Sequence, residues 1–188
     1  MTGPHSRRAT RALRKLGEVD PALGALALWC RHRDGEGGAA PAWTDGATIW
    51  YGPGFEAAPL HEQMGLAAHQ VLHVALRHPA RAAAMARRFG PDFDAETFNL
   101  ATDAILNETL SLAGQALPRP CVTVSSLLAE ALGEAAAPET ALARHDAESL
   151  YMRLRRRPAQ AGRGRASAGD GPAPSETTQS RTRAYMRD

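Results

Sequence analysis

Residues 69–73 read His69-Gln70-Val71-Leu72-His73, inside an Ala/Leu/Val-rich run from 60 to 78 that has the character of a helix. An α-helix advances about 100° per residue, so positions i and i+4 lie about 40° apart on one face and two imidazoles there can meet at one cation. Zn²⁺ accepts neutral imidazole and prefers four tetrahedral ligands, so the pair supplies half a site. The plainer reading, two histidines bonded to backbone carbonyls on a partly buried helix, stands beside this one until further ligands are found.

In the His-Glu-x-x-His form, the glutamate after the first histidine takes a proton from metal-bound water as general base. Gln70 stands at that position. It matches glutamate in size but has neither charge nor a titrating proton, so it can orient a water and not deprotonate one. General-base action is worth roughly 10²- to 10⁴-fold, and weak or absent hydrolysis is expected.

Two residues can complete the ligand set. Asn99, Asp103 and Asn107 repeat every four residues and share a helix face, while Leu100, Ile105 and Leu106 serve the core. A buried carboxylate on such a helix needs a partner, and a metal or a metal-bound histidine would provide one. His78 would face away from His69 on a continuous helix. Pro79 disfavours helical geometry at the residue before it, so the chain can leave the helix there and bend back. The expected ligands are His69, His73 and Asp103, with His78 as the alternative third ligand, water in the open position, and Asn99 and Asn107 as outer hydrogen-bonding partners. Glu62, Glu96 and Glu108 are the acids that would have to replace the missing base. Glu62 lies about 10 Å down the helix axis, too far for direct proton transfer.

The 188-residue chain can hold one domain with a substantial core, and its net charge is only +2. Basic residues cluster between Arg7 and Lys15 and between Arg153 and Arg157. These are expected to be solvated helix faces and not a nucleic-acid surface. No stretch reads as a signal peptide or a membrane span, so a cytoplasmic protein is expected, with Cys30 and Cys121 as buried thiols and not a disulfide.

Helical spacing covers 6–16 and 20–32, the second begun by Asp20-Pro21. A turn at Thr44-Asp45-Gly46 precedes Ala47-Thr48-Ile49-Trp50-Tyr51, the only clear strand, which Gly52-Pro53-Gly54 ends. A lone strand is unstable, and its partner is expected near Trp43 or in 117–124. Residues 158–188 read as a disordered Gly/Ala/Ser/Arg/Pro-rich tail.

These segments together resemble a bacterial putative metallopeptidase domain family, zincin-like, that commonly precedes a von Willebrand factor A-like domain and occurs with MoxR-type AAA ATPases. The matching stretches are Thr44 to Tyr51, Gly52-Pro53-Gly54-Phe55, His69 to Pro79, Phe98 to Asn107, and Asp146-Ala147-Glu148-Ser149-Leu150-Tyr151. The resemblance covers 18–157, preceded by a basic helix or arm over 1–17 and followed by the tail. It implies a predominantly helical α+β fold with a small sheet packed beside the metal-binding helix, Zn²⁺ as cofactor, and a peptide or protein ligand. It also implies that Ile49, Trp50 and Tyr51 form the edge that receives an extended peptide. An ATPase or A-like domain protein would be the partner by the same resemblance. The sequence departs from the family at Gln70, where the pattern has glutamate, and in the tail, where an A-like domain usually follows. The expected function is therefore a zinc-binding, hydrolytically impaired metallopeptidase-like domain that binds peptide or protein. The alternatives are an active zinc metalloprotease using another acid, and a metal-free module that meets an acidic partner or nucleic acid through its arginines.

Overall fold

The computed structural model describes residues 6–36 and 40–156. Helices α1 (Thr10–Val19) and α2 (Pro21–Leu28) lead into strands β1 (Arg31–Asp34), β2 (Ala42–Thr44) and β3 (Thr48–Tyr51). A short α3 (Pro53–Ala57) is followed by α4 (Leu60–Ala75), α5 (His78–Phe89), a 3₁₀ turn (Gly90–Asp92), α6 (Ala95–Leu112), α7 (Val124–Leu132), α8 (Pro138–Arg144) and α9 (Ala147–Arg155). The fold is α+β and predominantly helical, as expected. The tail expected over 158–188 lies outside the described residues.

Several helices start where a polar side chain caps them. Asp20 accepts from the Leu23 amide and Pro21 opens α2, Asp94 accepts from Glu96 and Thr97 at α6, and Thr123 and Asp146 form reciprocal capping boxes with Ser126 and Ser149. The second helix ends at Leu28, short of the expected 32, because residues 31–34 leave it to form β1. Arg-His-Arg-Asp has no β-branched or aromatic residue to announce a strand. Tertiary contacts hold it instead: buried His32 hydrogen-bonds the Tyr51 hydroxyl and the Ala27 carbonyl, both at 2.9 Å.

The sheet order is β1-β3-β2, with β1 parallel and β2 antiparallel to β3. Trp43 pairs with Trp50, so the segment near Trp43 is the partner strand and 117–124 is not. In the β2–β3 turn the Asp45 carboxylate accepts from the amides of Ala47 and Thr48, and Gly46 takes a φ of +95° that side chains rarely adopt. This topology corrects one expectation. Ile49, Trp50 and Tyr51 lie on the central strand, their backbone already paired on both sides, so they cannot receive a peptide by strand addition.

Two clusters of buried side chains organise the rest. The first joins α1, α2, the sheet and α4 through Leu16, Leu23, Ile49, Tyr51, Phe55, Ala67, Ala68 and Val71. Ala9, Ala12 and Leu16 are fully buried in it, so the basic N-terminal helix is an integral layer of the domain and not an appended arm. Arg8, within the basic run, donates to the carbonyls of Gly35 and Tyr51 and pairs with Glu56. The second cluster joins α5, α6, α7, α8 and α9 through Met85, Phe98, Ala101, Ala104, Val124, Leu128, Leu150 and Tyr151. Helices α4 and α6 meet between the two. Both cysteines are free and half-buried, Cys30 with its thiol pushed up by burial. Among the described residues, no helix is long and apolar enough to cross a membrane.

Candidate metal centre

Helix α4 turns His69, Gln70 and His73 inward, all three buried. One turn earlier, Gly65 lets another segment come close: a Cβ there would lie 1.8 Å from the Ala116 carbonyl oxygen. The helix stops at Ala75, and Arg77 takes the left-handed conformation (φ 57°, ψ 36°) that a glycine more often supplies. His78 then opens α5 with Pro79 in its first turn. The bend expected before Pro79 therefore exists, made by an arginine.

The Nε2 atoms of His69 and His73 are 2.9 Å apart, and they lie 3.5 and 3.0 Å from Asp103 Oδ1. Around a tetrahedral Zn²⁺ with bonds of about 2.0–2.1 Å, neighbouring ligand atoms are about 3.3 Å apart. The three donors thus have the spacing of one tetrahedral face, and the group can hold a metal ion. His78, the alternative third ligand, does not join them. Its Nδ1 lies 3.1 Å from Nδ1 of His73, on the side of that ring opposite Asp103. The short bend and Pro79 bring it to the outer nitrogen of His73, away from the three converging donors.

The ionisation states suit a cation. Burial alone would push the Asp103 carboxyl up, but hydrogen bonds and charge from His69 and His73 outweigh it and hold the group below the usual carboxylate range. Burial, reinforced by His69, pushes His73 down against the pull of Asp103. His78 is pushed down to about 3, first by burial, then by His73 and Arg81. Neutral imidazole and ionised carboxylate are the forms that bind metal.

Residues 4–187 match the family described as putative metallopeptidase domain. The chain belongs to that family. No curated protein and no solved structure matches it. The match takes in α1, in keeping with that helix's place in the first core.

In this metallopeptidase-family domain His69 and Asp103 line a cleft of about 100 Å³, room for an ion and several waters, with His73 buried behind them. Pro41 and Ala42 at the start of β2 form one wall, and Leu117, Pro118, Pro120, Cys121 and Val122 form another. Motif spacing along the chain does not announce this second wall. Its signal was the proline-rich run 118–120, which suits a strand poorly and a rigid loop well. Asn107 lines the cleft and donates to the Val122 carbonyl (2.9 Å), so it secures the wall and not a ligand. Asn99 is half-buried and outside the cleft lining, its carbonyl accepting from Thr102.

Among the other acids near these helices, Glu108 accepts from the amide and hydroxyl of Ser125 (2.7 and 2.6 Å). Glu62 lines a neighbouring trough, and Glu96 is exposed in the first turn of α6. Among the described residues, Asp103 is the one carboxylate lining the cleft.

Proposed function

We propose that this domain binds Zn²⁺ through His69, His73 and Asp103 and holds a peptide segment beside it, with hydrolysis weak or absent because Gln70 stands where the general base is needed. The observation that carries this reading is the convergence of three donor atoms from two helices, at distances of 2.9, 3.0 and 3.5 Å. Two imidazoles and a carboxylate at tetrahedral spacing suit Zn²⁺, which when bound supplies Lewis acidity and acidifies a water. Gln70 is buried beside His69 in the same cleft. Its amide can hold a water or a peptide carbonyl in place but takes up no proton.

The peptide edge in this reading is β2. In an antiparallel ladder, paired and outward-facing residues alternate. Pro41 accepts from Gly52 and Asp45 donates to Thr48, which leaves the backbone groups of Ala42 and Thr44 facing away from β3. Ala42 also lines the cleft. Thr44 is 1% exposed, so an extended peptide would meet this edge at its Pro41–Ala42 end, between it and the 117–122 wall, and there pass His69 and Asp103.

Zinc titration of chelator-stripped protein tests the metal claim. The expectation is one ion per chain, with affinity falling more than about 100-fold in His73→Ala, beyond the roughly 10–100-fold typical of losing an outer partner. Equal affinities in the two proteins would sink it. Gln70→Glu tests the second claim through chelator-sensitive cleavage of casein, expected to rise by about 10²- to 10⁴-fold. Comparable cleavage by the wild type would mean that the site is not impaired.

A further inference from the structure

His73 is held at both ring nitrogens. Its Nε2 lies 3.0 Å from Asp103 Oδ1, and its Nδ1 lies 3.1 Å from Nδ1 of His78. His78 itself is buried, 4% exposed, and the chain fixes it from several sides. The left-handed Arg77 turns it back toward α4. Pro79 packs against Gly46, where an added Cβ would meet the proline ring at 3.2 Å. Arg81, one turn on, makes a two-pronged pair with Glu148 of α9. Met85 anchors the same helix in the second core.

A neutral imidazole carries one proton, so an Nδ1···Nδ1 contact between two of them is a hydrogen bond only if one ring donates and the other accepts. Which does so depends on the far side of His73. Without an ion, Asp103 is an acceptor that calls for an N–H at His73 Nε2, and His78 must then donate from its own Nδ1. With an ion on Nε2, that nitrogen must be bare, His73 carries its proton on Nδ1, and His78 must accept.

From this geometry we infer that His78 is a positioning residue that fixes the tautomer and ring orientation of His73, through a hydrogen bond whose direction reverses when the metal binds. The inference rests on the metal-site reading above. The protons balance: the one in the Nδ1···Nδ1 bond passes from His78 to His73, His73 releases one from Nε2, and His78 gains one from water at its own Nε2. Each ring ends as it began, with one proton. A carboxylate or a backbone carbonyl, the common outer partners of a metal-bound histidine, can only accept. Histidine here satisfies the ligand in both states, so the metal-free centre stays assembled.

Three variants and one spectrum test this. His78→Phe keeps a ring but no hydrogen-bonding nitrogen, and should bind zinc about 10–100-fold more weakly. His78→Asn, whose amide sits near the place of Nδ1 and can donate or accept, should bind within about 3-fold of wild type, whereas His78→Gln, reaching the place of Nε2, should resemble the phenylalanine variant. Melting curves of the metal-free proteins show whether each variant folds. If His78→Phe does not fold, the ordering of the Asn and Gln variants decides. Wild-type affinity in His78→Phe or His78→Gln, or losses as large in His78→Asn as in the others, overturns the assignment. In ¹⁵N NMR of the wild type, the His78 proton should move from Nδ1 to Nε2 on zinc addition, and an unchanged tautomer overturns the reversal. A wild type that binds no zinc overturns the centre itself, and this inference with it.

Discussion

The two cores differ in construction and each is incomplete alone. The first is backed by a sheet and contains all three tryptophans in its elements or their connections, Trp29, Trp43 and Trp50. The second is all helix, built around Phe93, Phe98 and Tyr151 in edge and tilted aromatic contacts. Helix α4 carries His69 and His73 from the first core, α6 brings Asp103 from the second, and α5 brings His78. A site on the seam reports the relative placement of both regions, which a site within either would not.

The largest expected effects come from opening a cavity on each side of that seam. Phe55→Ala in the first core and Phe98→Ala in the second should each destabilise by about 3–5 kcal/mol, since both rings are fully buried. If the regions unfold as one unit, tryptophan fluorescence, which sees the first, and far-UV circular dichroism, weighted toward the second, shift together in urea. Separate transitions would break the picture of a single cooperative domain. Zinc affinity should fall more in Phe98→Ala, because that ring anchors the helix of Asp103.

Zinc should tie the regions together. At a free concentration 100 times its dissociation constant it should add about 2.7 kcal/mol to unfolding. Chelation should remove that increment, and a melting temperature indifferent to chelator would mean that the seam is not metal-linked.

Acid should loosen the metal-free seam through its histidines. His73 and His78 are held neutral below the ordinary histidine value. Their unfolded forms gain protons as pH falls through about 6.5, and the folded forms do not, so stability is full above that pH and is lost toward the folded values. For His78 the window runs from about 6.5 to about 3, at roughly 1.4 kcal/mol per pH unit. Asp103 acts lower: its stabilisation is present above about 3.9 and is lost only as pH falls toward its depressed value. Chelated protein in urea at pH 7, 6 and 5 should show the histidine slope, and His78→Asn should reduce it. A flat profile would contradict neutral burial of these rings.

The smallest effect is expected at Arg81→Ala. Its pair with Glu148 joins α5 to α9, but both side chains are about one-third exposed (31% and 34%). The loss should stay below about 1 kcal/mol by urea denaturation. A larger loss would place more of the α5 anchoring at the surface than in Met85 and Pro79.

The His69–His73 pair was legible because its evidence is local. The i,i+4 spacing of His69 and His73 fixes a shared face wherever the helix is placed, and the every-fourth polar line through Asp103 marked the second helix by the same rule. Asp45-Gly46 marked its turn because those residue types suit the geometry directly. Strand β1 was not legible, since Arg31 to Asp34 owe their extended form to pairing with β3 and to His32 reaching Tyr51. The edge role of Ile49, Trp50 and Tyr51 failed for the same reason: alternation and β-branched or aromatic content mark a strand, not its neighbours.

Sequence alone therefore determined the two helical faces that carry His69, His73 and Asp103, and the uncharged Gln70 between the histidines, because helical periodicity and side-chain chemistry belong to the chain itself. Tertiary structure decided that Asp103 meets both histidines while His78 meets only the back of one, that Asn107 and Glu108 turn to the wall loop and its helix, and that β2 lies beside the cleft. Those outcomes depend on how α4, α5 and α6 pack and on which strand takes the centre of the sheet. Distances between segments far apart in the chain are set by the two cores on either side of the seam, and no spacing within one segment encodes them.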